Sequence, residues 1–188
     1  MAVDSVLKLP KPRFKGKIAL EEAMTLRRTT RSLSEKEVSQ HDVSQVLWAL
    51  QGVTHIERSS KEGKILHRAA PSAGKTYPLE VYLASSKGFF RYEAQRHGLS
   101  LIRQDDVRGD LSEAAITALN KEAIRVAPLT IILAADNEKA LRATPVMENA
   151  VRFAHLEAGH ATQNLLLQAV CLGLGVCTVT SFNIGKVY

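Results

Sequence analysis

The run Arg27-Arg28-Thr29-Thr30-Arg31 has residue types and a spacing that suit the binding of a phosphate group. Arg27 and Arg31 are four residues apart, so both side chains would project from the same side of a helix end. Guanidinium groups hold phosphate through charge-assisted, two-pronged hydrogen bonds, and Thr29 and Thr30 add hydroxyl donors between them. The run predicts a phosphate site, and a solvated basic helix end is the alternative that the residues alone leave open.

A second pattern, Pro71-Ser72-Ala73-Gly74, is built of small residues. Alanine and glycine leave the main chain uncovered, so a ligand could approach the backbone closely at this point. A plain tight turn explains the same residues, and this alternative also stays open.

The segment HLEAGH, from His155 to His160, invites a metal interpretation. Its two histidines would point about 140° from each other on a helix, so the spacing does not suit a shared metal ion and we predict no metal site. We expect the polar side chains of this segment to satisfy one another or a twofold-related copy: His155, Glu157, His160, Gln163 and Asn164.

A long helix is expected to position much of this chemistry. Between about residues 150 and 173, apolar residues recur at intervals of three and four without a proline, and they cover most of the helix surface. Gly173 and Gly175 would end the helix, and residues 176–182 have the composition of a strand. We therefore predict a buried core helix that leads into a strand.

The remaining elements are predicted from the same kinds of pattern. A short helix over 18–26 runs into the arginines, and Ser39 caps the next helix, with Asp42 at the third helical position and Gly52 at the end. The other predicted elements are a loop over 54–67, strands of a meander over 79–84, 89–92 and 99–102, a helix over 106–120, a central strand over 129–135 and irregular chain over 136–149 with a turn of helix near Glu138.

The length, charge and composition of the chain exclude several classes of protein. A chain of 188 residues predicts one domain over residues 18–188, preceded by an extended arm over residues 1–17. The net charge of +6 is not accompanied by a recognisable nucleic-acid-binding element, and aromatic residues make up only 5% of the chain, so we predict no nucleic-acid partner. Because no apolar run approaches about 20 residues and no secretory signal is visible, we expect a cytoplasmic protein without a membrane partner. Cys171 and Cys177 are interpreted as reduced thiols.

Three segments carry a resemblance that spans roughly residues 18–184. They are LRRTTRSLSEKEVSQHDVSQVLWALQGVT at 26–54, RAAPSAGKTYPLEVYLA at 68–84 and HLEAGHATQNLLLQAVCLGLG at 155–175. In this order they resemble the FMN-dependent nitroreductase superfamily, and more closely its SagB-like branch, which includes azoline-oxidising dehydrogenases. The resemblance implies an α+β fold in which helices flank a central, mainly antiparallel sheet.

The resemblance also implies a homodimer that binds FMN at its interface. Arg27, Thr29 and Arg31 match a basic–x–Ser/Thr–x–basic run that contacts the FMN phosphate and ribityl chain, with Arg28 as a neighbour. Thr180 and Ser181 match a strand-end pair whose backbone amides lie beside the N5 edge of the isoalloxazine ring. The turn at Pro71, Ser72, Ala73 and Gly74 matches a run that packs on the flavin held mainly by the partner subunit.

The activity implied is that of an FMN-dependent oxidoreductase. Hydride or electrons would pass through flavin N5 between a reduced donor such as NAD(P)H and a small nitro or quinone-like acceptor, and no side chain is assigned as catalytic. Two alternatives stay open: a peptide azoline dehydrogenase, and a flavin-binding or interaction protein without turnover. The chain is also expected to lack the C-terminal tail of the family, which often wraps onto the partner and can supply a further basic phosphate ligand.

Overall fold

The computed structural model describes residues 6–59 and 63–187, which form an α+β fold. The strands in this part of the chain are β1 Val6–Lys8, β2 Val53–Ser59, β3 Gly63–Arg68, β4 Leu79–Ser85, β5 Gly88–Glu93, β6 Gly98–Arg103 and β7 Leu129–Ala135. The helices are α1 Leu20–Leu26, α2 Gln40–Gln51, α3 Arg108–Ala114, α4 Ala118–Val126, α5 Asn137–Leu141 and α6 Met147–Cys171, with short 3₁₀ turns at Ala73–Lys75 and Ile184–Lys186.

A five-stranded antiparallel sheet with the order β1-β6-β5-β4-β7 forms the centre of the fold. The predicted meander is therefore confirmed, and the predicted fold class is confirmed with it. The prediction that residues 129–135 form a central strand is wrong, because β7 pairs only with β4 and lies at the sheet edge of the described chain. An apolar run indicates that both faces of a strand are covered, whereas it carries no information about whether both edges are paired.

Residues 54–67 were predicted as a loop but form most of a hairpin, in which β2 and β3 pair antiparallel with Ile56 opposite Leu66. The hairpin stands apart from the main sheet, and the described part of β2 is largely exposed. Neither strand needs a continuous apolar face, so the sequence lacks the alternation by which a half-buried strand is recognised.

Helix α2 follows its sequence signals closely. The Oγ of Ser39 accepts a hydrogen bond of 3.1 Å from the amide of Asp42 and donates one of 2.7 Å to its carboxylate. Gly52 ends the helix, and its amide bonds to the carbonyl of Trp48. The apolar face of α2 packs with α6 and the inner face of the sheet to form the core, which includes Val46, Leu47, Leu50, Leu79, Val81, Leu83, Tyr92, Leu99, Ala161, Leu165 and Ala169.

Helix α6 is the long core helix that the sequence predicts, and Gly173 ends it with a φ of +72°. Within the single chain, however, the helix buries one stripe, formed by Ala150, Ala154, Glu157, Ala161, Leu165 and Ala169. Burial all round the helix is not reached, since Leu156 is 55% exposed and Val151 is 37% exposed. None of the described helices is long and apolar enough to cross a membrane.

Two further predictions differ from the structure. The helix predicted over 106–120 is divided into α3 and α4 at residues 115–117, where the Oγ1 of Thr117 accepts from the amide of Asn120 and begins the second helix. Residues 176–182 are extended but form no strand, because their carbonyls bond to separate segments and only one bridge forms, between Ala115 and Phe182.

The amino-terminal arm is attached to the sheet where the structure describes it. Val6–Lys8 pairs with β6, and residues 1–5 lie outside the described part of the chain. His97 holds the next residues, because its Nε2 lies 3.1 Å from the carbonyl oxygen of Pro10 and 2.7 Å from the Oγ of Ser44. Its Nδ1 lies 2.8 Å from the hydroxyl of Tyr92.

Candidate functional site

The arginine segment, residues 27–31, begins where α1 ends, with Arg27 at the C-cap. The guanidinium groups of Arg27 and Arg31 make no hydrogen bond or ion pair with any residue that the structure describes. Arg28 differs, because its Nη1 donates bonds of 2.8 Å to the carbonyls of Thr25 and Arg27 and so caps the end of α1. Two unpaired guanidinium groups, four residues apart, are therefore available to an anion.

Backbone contacts tie the arginine segment to the chain that follows α6. The amide of Thr30 donates a 2.9 Å hydrogen bond to the carbonyl of Val176. A Cβ atom on Gly175 would lie only 3.1 Å from Cγ2 of Thr30, so a side chain at this position would require the Thr30 side chain to shift slightly. Burial raises the pKa of the Cys177 thiol, whereas the nearby positive charge of Arg31 lowers it, which places Arg31 beside this segment.

Thr180 and Ser181 continue the same segment and are exposed. The carbonyl of Ser181 accepts a 3.1 Å hydrogen bond from the amide of Ile116, so the segment is held against the connection between α3 and α4. The amides of Thr180 and Ser181 themselves donate no hydrogen bond within the described part of the chain. The arginine segment is therefore hydrogen-bonded to the same segment that carries the Thr180–Ser181 pair, and within the described chain the two segments offer unpaired guanidinium groups and unbonded backbone amides.

The turn at residues 71–74 lies elsewhere, against the first half of α6. Gly74 has a φ of +58°, and a Cβ atom there would lie 3.3 Å from the Cβ of Ala143, so the turn favours glycine at this position. The Oγ of Ser72 accepts a 2.9 Å hydrogen bond from the amide of Tyr77. A cavity of about 270 Å³ separates the turn from the helix and is lined by Pro71, Ser72, Ala73, Phe153, Leu156, Glu157 and His160.

The single chain does not bring all the predicted site residues together. The turn faces Glu157, whereas the arginine segment is bonded to Val176, beyond the end of α6 at Cys171. Fourteen residues of helix separate Glu157 from Cys171, which corresponds to about 21 Å at 1.5 Å per residue. No hydrogen bond joins the turn to the arginine segment in the residues that the structure describes.

A buried polar cluster of Gln51, Arg68 and Glu157 lies beneath the turn. The Nε2 of Gln51 donates a 3.1 Å bond to the carboxylate of Glu157, and Nη1 of Arg68 donates a 3.2 Å bond to the Oε1 of Gln51. Gln51 is fully buried and Glu157 is 2% exposed. The cluster joins α2, α6 and β3 and supports the turn from within the core.

Burial raises the pKa of Glu157, and hydrogen bonds from Ser72 and Gln51 partly oppose that shift. The partners of Glu157 therefore come from other elements, as does that of Asn164, whose Nδ2 donates a 3.2 Å bond to the carbonyl of Ala69. The expectation that the polar groups of α6 satisfy one another is wrong for these two residues. The sequence contained one usable signal for the cluster: Gln51 lies one helical turn beyond Leu47, on the buried face of α2.

A model of the nitroreductase family matches residues 24–187. A candidate nitroreductase of Methanocaldococcus jannaschii is 34% identical over 171 residues, which cover 88% of this chain and 80% of the relative. The crystal structure of a candidate nitroreductase from Ralstonia eutropha has a TM-score of 0.74 and 29% identity, covering 90% of this chain and 73% of the other.

Two further solved structures share the fold. A candidate nitroreductase from Anabaena variabilis has a TM-score of 0.61 and 26% identity, covering 85% of this chain and 32% of its own. The E. coli microcin synthetase McbBCD complex, with truncated pro-MccB17 bound, has a TM-score of 0.62 over 95% of this chain and 69% of that chain. At 18% identity, this last likeness concerns the fold alone.

Proposed function

The chain belongs to the nitroreductase family and is therefore an oxidoreductase; we propose that it uses FMN to pass hydride between a reduced donor such as NAD(P)H and a small nitro or quinone-like acceptor. The observation that carries the proposal concerns two hydrogen-bonded segments, residues 27–31 and 176–181. Within the described chain they offer unpaired guanidinium groups and unbonded backbone amides. FMN, when bound, supplies the two-electron chemistry at N5, and the protein supplies binding and orientation.

The phosphate of FMN is assigned to the arginine segment. Arg27 and Arg31 have no competing partner in the described chain, and a phosphate accepts two-pronged hydrogen bonds from such groups. Thr29 is exposed beside them and offers a hydroxyl donor. Arg28 contributes charge from its position at the end of α1, and its guanidinium keeps two backbone carbonyls as partners.

The edge of the isoalloxazine ring is assigned to the amides of Thr180 and Ser181. Both lack an acceptor within the described chain, and the hydrogen bond from the Ile116 amide to the Ser181 carbonyl holds the peptide group that directly follows this pair. Backbone donors of this kind act without a particular side chain, so substitutions at Thr180 and Ser181 that keep the main-chain conformation should be tolerated. No side chain here is assigned as a general acid or base.

The turn at residues 71–74 reaches a flavin only if a second copy of the chain supplies it. Exposed apolar side chains support such a homodimer: Val151 and Leu156 on α6, and Leu20, Met24 and Leu26 on α1. In a twofold dimer with antiparallel α6 helices, the turn of one copy faces the carboxyl end of the partner helix, where the arginine segment lies. An obligate interface of this kind buries about 2,000 Å² or more in total.

Identifying the flavin released on denaturation tests the cofactor. The purified protein should be yellow and release FMN, because the arginine segment is the size of a single phosphate site and no dinucleotide glycine motif occurs in the sequence. FAD in the released fraction, or a folded protein that takes up neither flavin, would contradict the proposal.

Oxidation of NAD(P)H in the presence of a nitroaromatic or quinone acceptor tests turnover. A flavin-loaded protein that oxidises no donor would favour the alternative of a flavin-binding protein without turnover. Oxidation of an azoline-containing peptide, without NAD(P)H, would favour the peptide azoline dehydrogenase, which is the finer assignment within the family that the sequence resemblance suggests.

Light scattering tests the dimer. Leu156→Glu places a charge in the centre of the exposed apolar face, so it should yield monomers at micromolar concentration and weaken flavin retention. Leu119→Glu is a matched control, because Leu119 is 69% exposed on α4, outside this face. A wild-type monomer that keeps its flavin would exclude the assembly.

A further inference from the structure

A second, larger cavity of about 760 Å³ lies between the β2–β3 hairpin, the turn at residues 74–77, strands β4 and β5, and α5. We call it the basic groove. Seven basic residues line it, against two acidic ones: Lys64, Arg68, Lys75, Arg91, Arg96, Lys139 and Arg142, against Glu80 and Glu93. The lining thus has a formal charge of +5, whereas the whole chain has +6. The groove is therefore one of the strongly positive regions of the chain.

Only part of this charge is neutralised within the protein. Glu80 forms ion pairs with Arg91, at 2.7 Å from its Nη2, and with Lys139, so its carboxylate is fully used. Lys64 and Arg142 form no hydrogen bond or ion pair with any described residue. Lys75 acts at a distance on Glu57, whose pKa is lowered first by a hydrogen bond from His67 and then by the charge of Lys75.

Arg68 is the recessed cation of the groove. Its guanidinium lies 4.7 Å from the centre of the Tyr77 ring and, among the described residues, donates a single hydrogen bond, to the neutral amide of Gln51. Burial lowers the pKa of Arg68, the negative charge of Glu157 opposes that shift, and no described carboxylate is hydrogen-bonded to the guanidinium. A half-buried guanidinium that opens onto a cavity with several of its five N–H donors unused is a binding group for an oxyanion.

We infer that the basic groove binds a phosphorylated small molecule of nucleotide size, at a site separate from the arginine segment. Its volume falls within the range of small-molecule sites, about 300–1,000 Å³. Unpaired cations at its rim and a recessed guanidinium suit a ligand that carries more than one phosphate charge. The groove shares one residue, Gly74, with the residues proposed to contact flavin, and its assignment does not depend on the identity of the flavin.

Calorimetric titration of ADP into the flavin-loaded protein tests this inference, with inorganic pyrophosphate and uncharged adenosine as further probes. ADP and pyrophosphate should bind and adenosine should not. Lys75→Glu and Arg142→Glu should each weaken ADP binding about ten-fold or more, because each replaces an attraction to phosphate with a repulsion. Lys11→Glu is the matched control, since Lys11 is exposed outside the groove, and it should leave ADP binding within about two-fold.

The outcomes separate the groove from the flavin site. Flavin retention, measured by absorbance in each variant, should be unchanged in Lys75→Glu and Arg142→Glu. Absence of ADP binding at millimolar concentration, or equal loss in Lys11→Glu, would overturn the inference. Loss of FMN binding in the groove variants, with displacement of ADP by free FMN, would overturn it too, because the groove would then be the flavin phosphate site. Tighter binding of an acidic peptide than of ADP would exclude the phosphorylated ligand.

Discussion

The buried polar cluster lies near the middle of α6, whereas the arginine segment is bonded to the chain beyond its carboxyl end, and the charged groups of the two regions have different surroundings. Arg27 and Arg31 are unpaired and are positioned by main-chain bonds such as that from Thr30 to Val176. Gln51 and Glu157 are buried and bonded to each other. The segment keeps its donors for a ligand, whereas the hydrogen bonds of Gln51 within the cluster join three elements.

Because of this difference, the arginine segment should contribute mainly to ligand binding and the buried polar cluster mainly to stability. Removing an exposed, unpaired guanidinium leaves no buried group without a partner, so the free energy of unfolding should change little and the affinity for the ligand should fall. Removing a member of a buried network leaves its partners without hydrogen bonds in a medium that solvates them poorly. Substitutions in the two regions should therefore affect different measurements.

The largest effect is expected for Gln51→Ala. The change removes the bonds to both Glu157 and Arg68 and leaves a carboxyl group short of a donor in the core. The free energy of unfolding should fall by about 2–4 kcal/mol. Urea denaturation followed by circular dichroism measures this. Gln40→Ala, an exposed position on the same helix, is the control and should change stability by less than about 0.5 kcal/mol. Equal losses in the two variants would remove the contrast between the regions.

Arg31→Ala is expected to weaken FMN binding by about 1.5–3 kcal/mol and to leave riboflavin binding nearly unchanged, because riboflavin lacks the phosphate. Stability of the apo-protein should shift by no more than about 0.5 kcal/mol. Arg31→Lys should recover only part of the loss, since an ammonium keeps the charge but not the two-pronged geometry. Fluorescence quenching in titrations of both flavins gives the values.

Arg28→Ala is the comparison variant within the arginine segment. Its guanidinium is bonded to the carbonyls of Thr25 and Arg27, so its loss should weaken FMN binding less than that of Arg31 does. If FMN and riboflavin lose affinity equally in Arg31→Ala, the phosphate is not bound at this segment.

The smallest effect is expected for Glu157→Gln and concerns pH dependence. Burial raises the pKa of Glu157 above its unfolded value, so the folded protein holds more protons than the unfolded chain between the two values. Stability contributed by this group is therefore fully present at pH below the unfolded pKa and declines as pH rises towards the folded pKa. Glutamine does not ionise and should remove this decline. Thermal melts from pH 4 to pH 8 measure how stability changes with pH in both proteins. A steeper decline of stability with rising pH in the variant would contradict the prediction.

The sequence predicted the elements whose signals are local. Ser39 and Asp42 identified the start of α2 because capping acts within one helical turn, and Gly173 identified the end of α6 by its backbone conformation. The hairpin over β2 and β3 was missed because the described part of β2 is largely exposed and β3 is only half-buried, so neither strand needs a clear apolar alternation. The strand predicted over 176–182 did not form because strand pairing depends on a neighbour, and here the carbonyls bond to Thr30 and Ile116 instead.

The same distinction between local signals and contacts formed by the fold applies to the candidate site. The arginine segment was recognisable because its chemistry is contained in five consecutive residues. The buried polar cluster was not, because Gln51, Arg68 and Glu157 come from three elements that only the fold brings together. The basic groove was missed for a related reason: its cations are spread from Lys64 to Arg142, so the net charge was visible but its concentration was not.

Strand β1 pairs with residues that leave the ribosome long after it does. Ninety residues separate Lys8 from its partner Gly98, an interval of several seconds at about 5–20 residues per second. Because β1 is synthesised first, it is already present when β6 emerges, and it can cover the outer edge of β6 as soon as that edge forms. Open strand edges recruit other chains. The edge strand on this side of the described sheet is then β1 itself, which has three residues and offers other chains only a short edge for pairing.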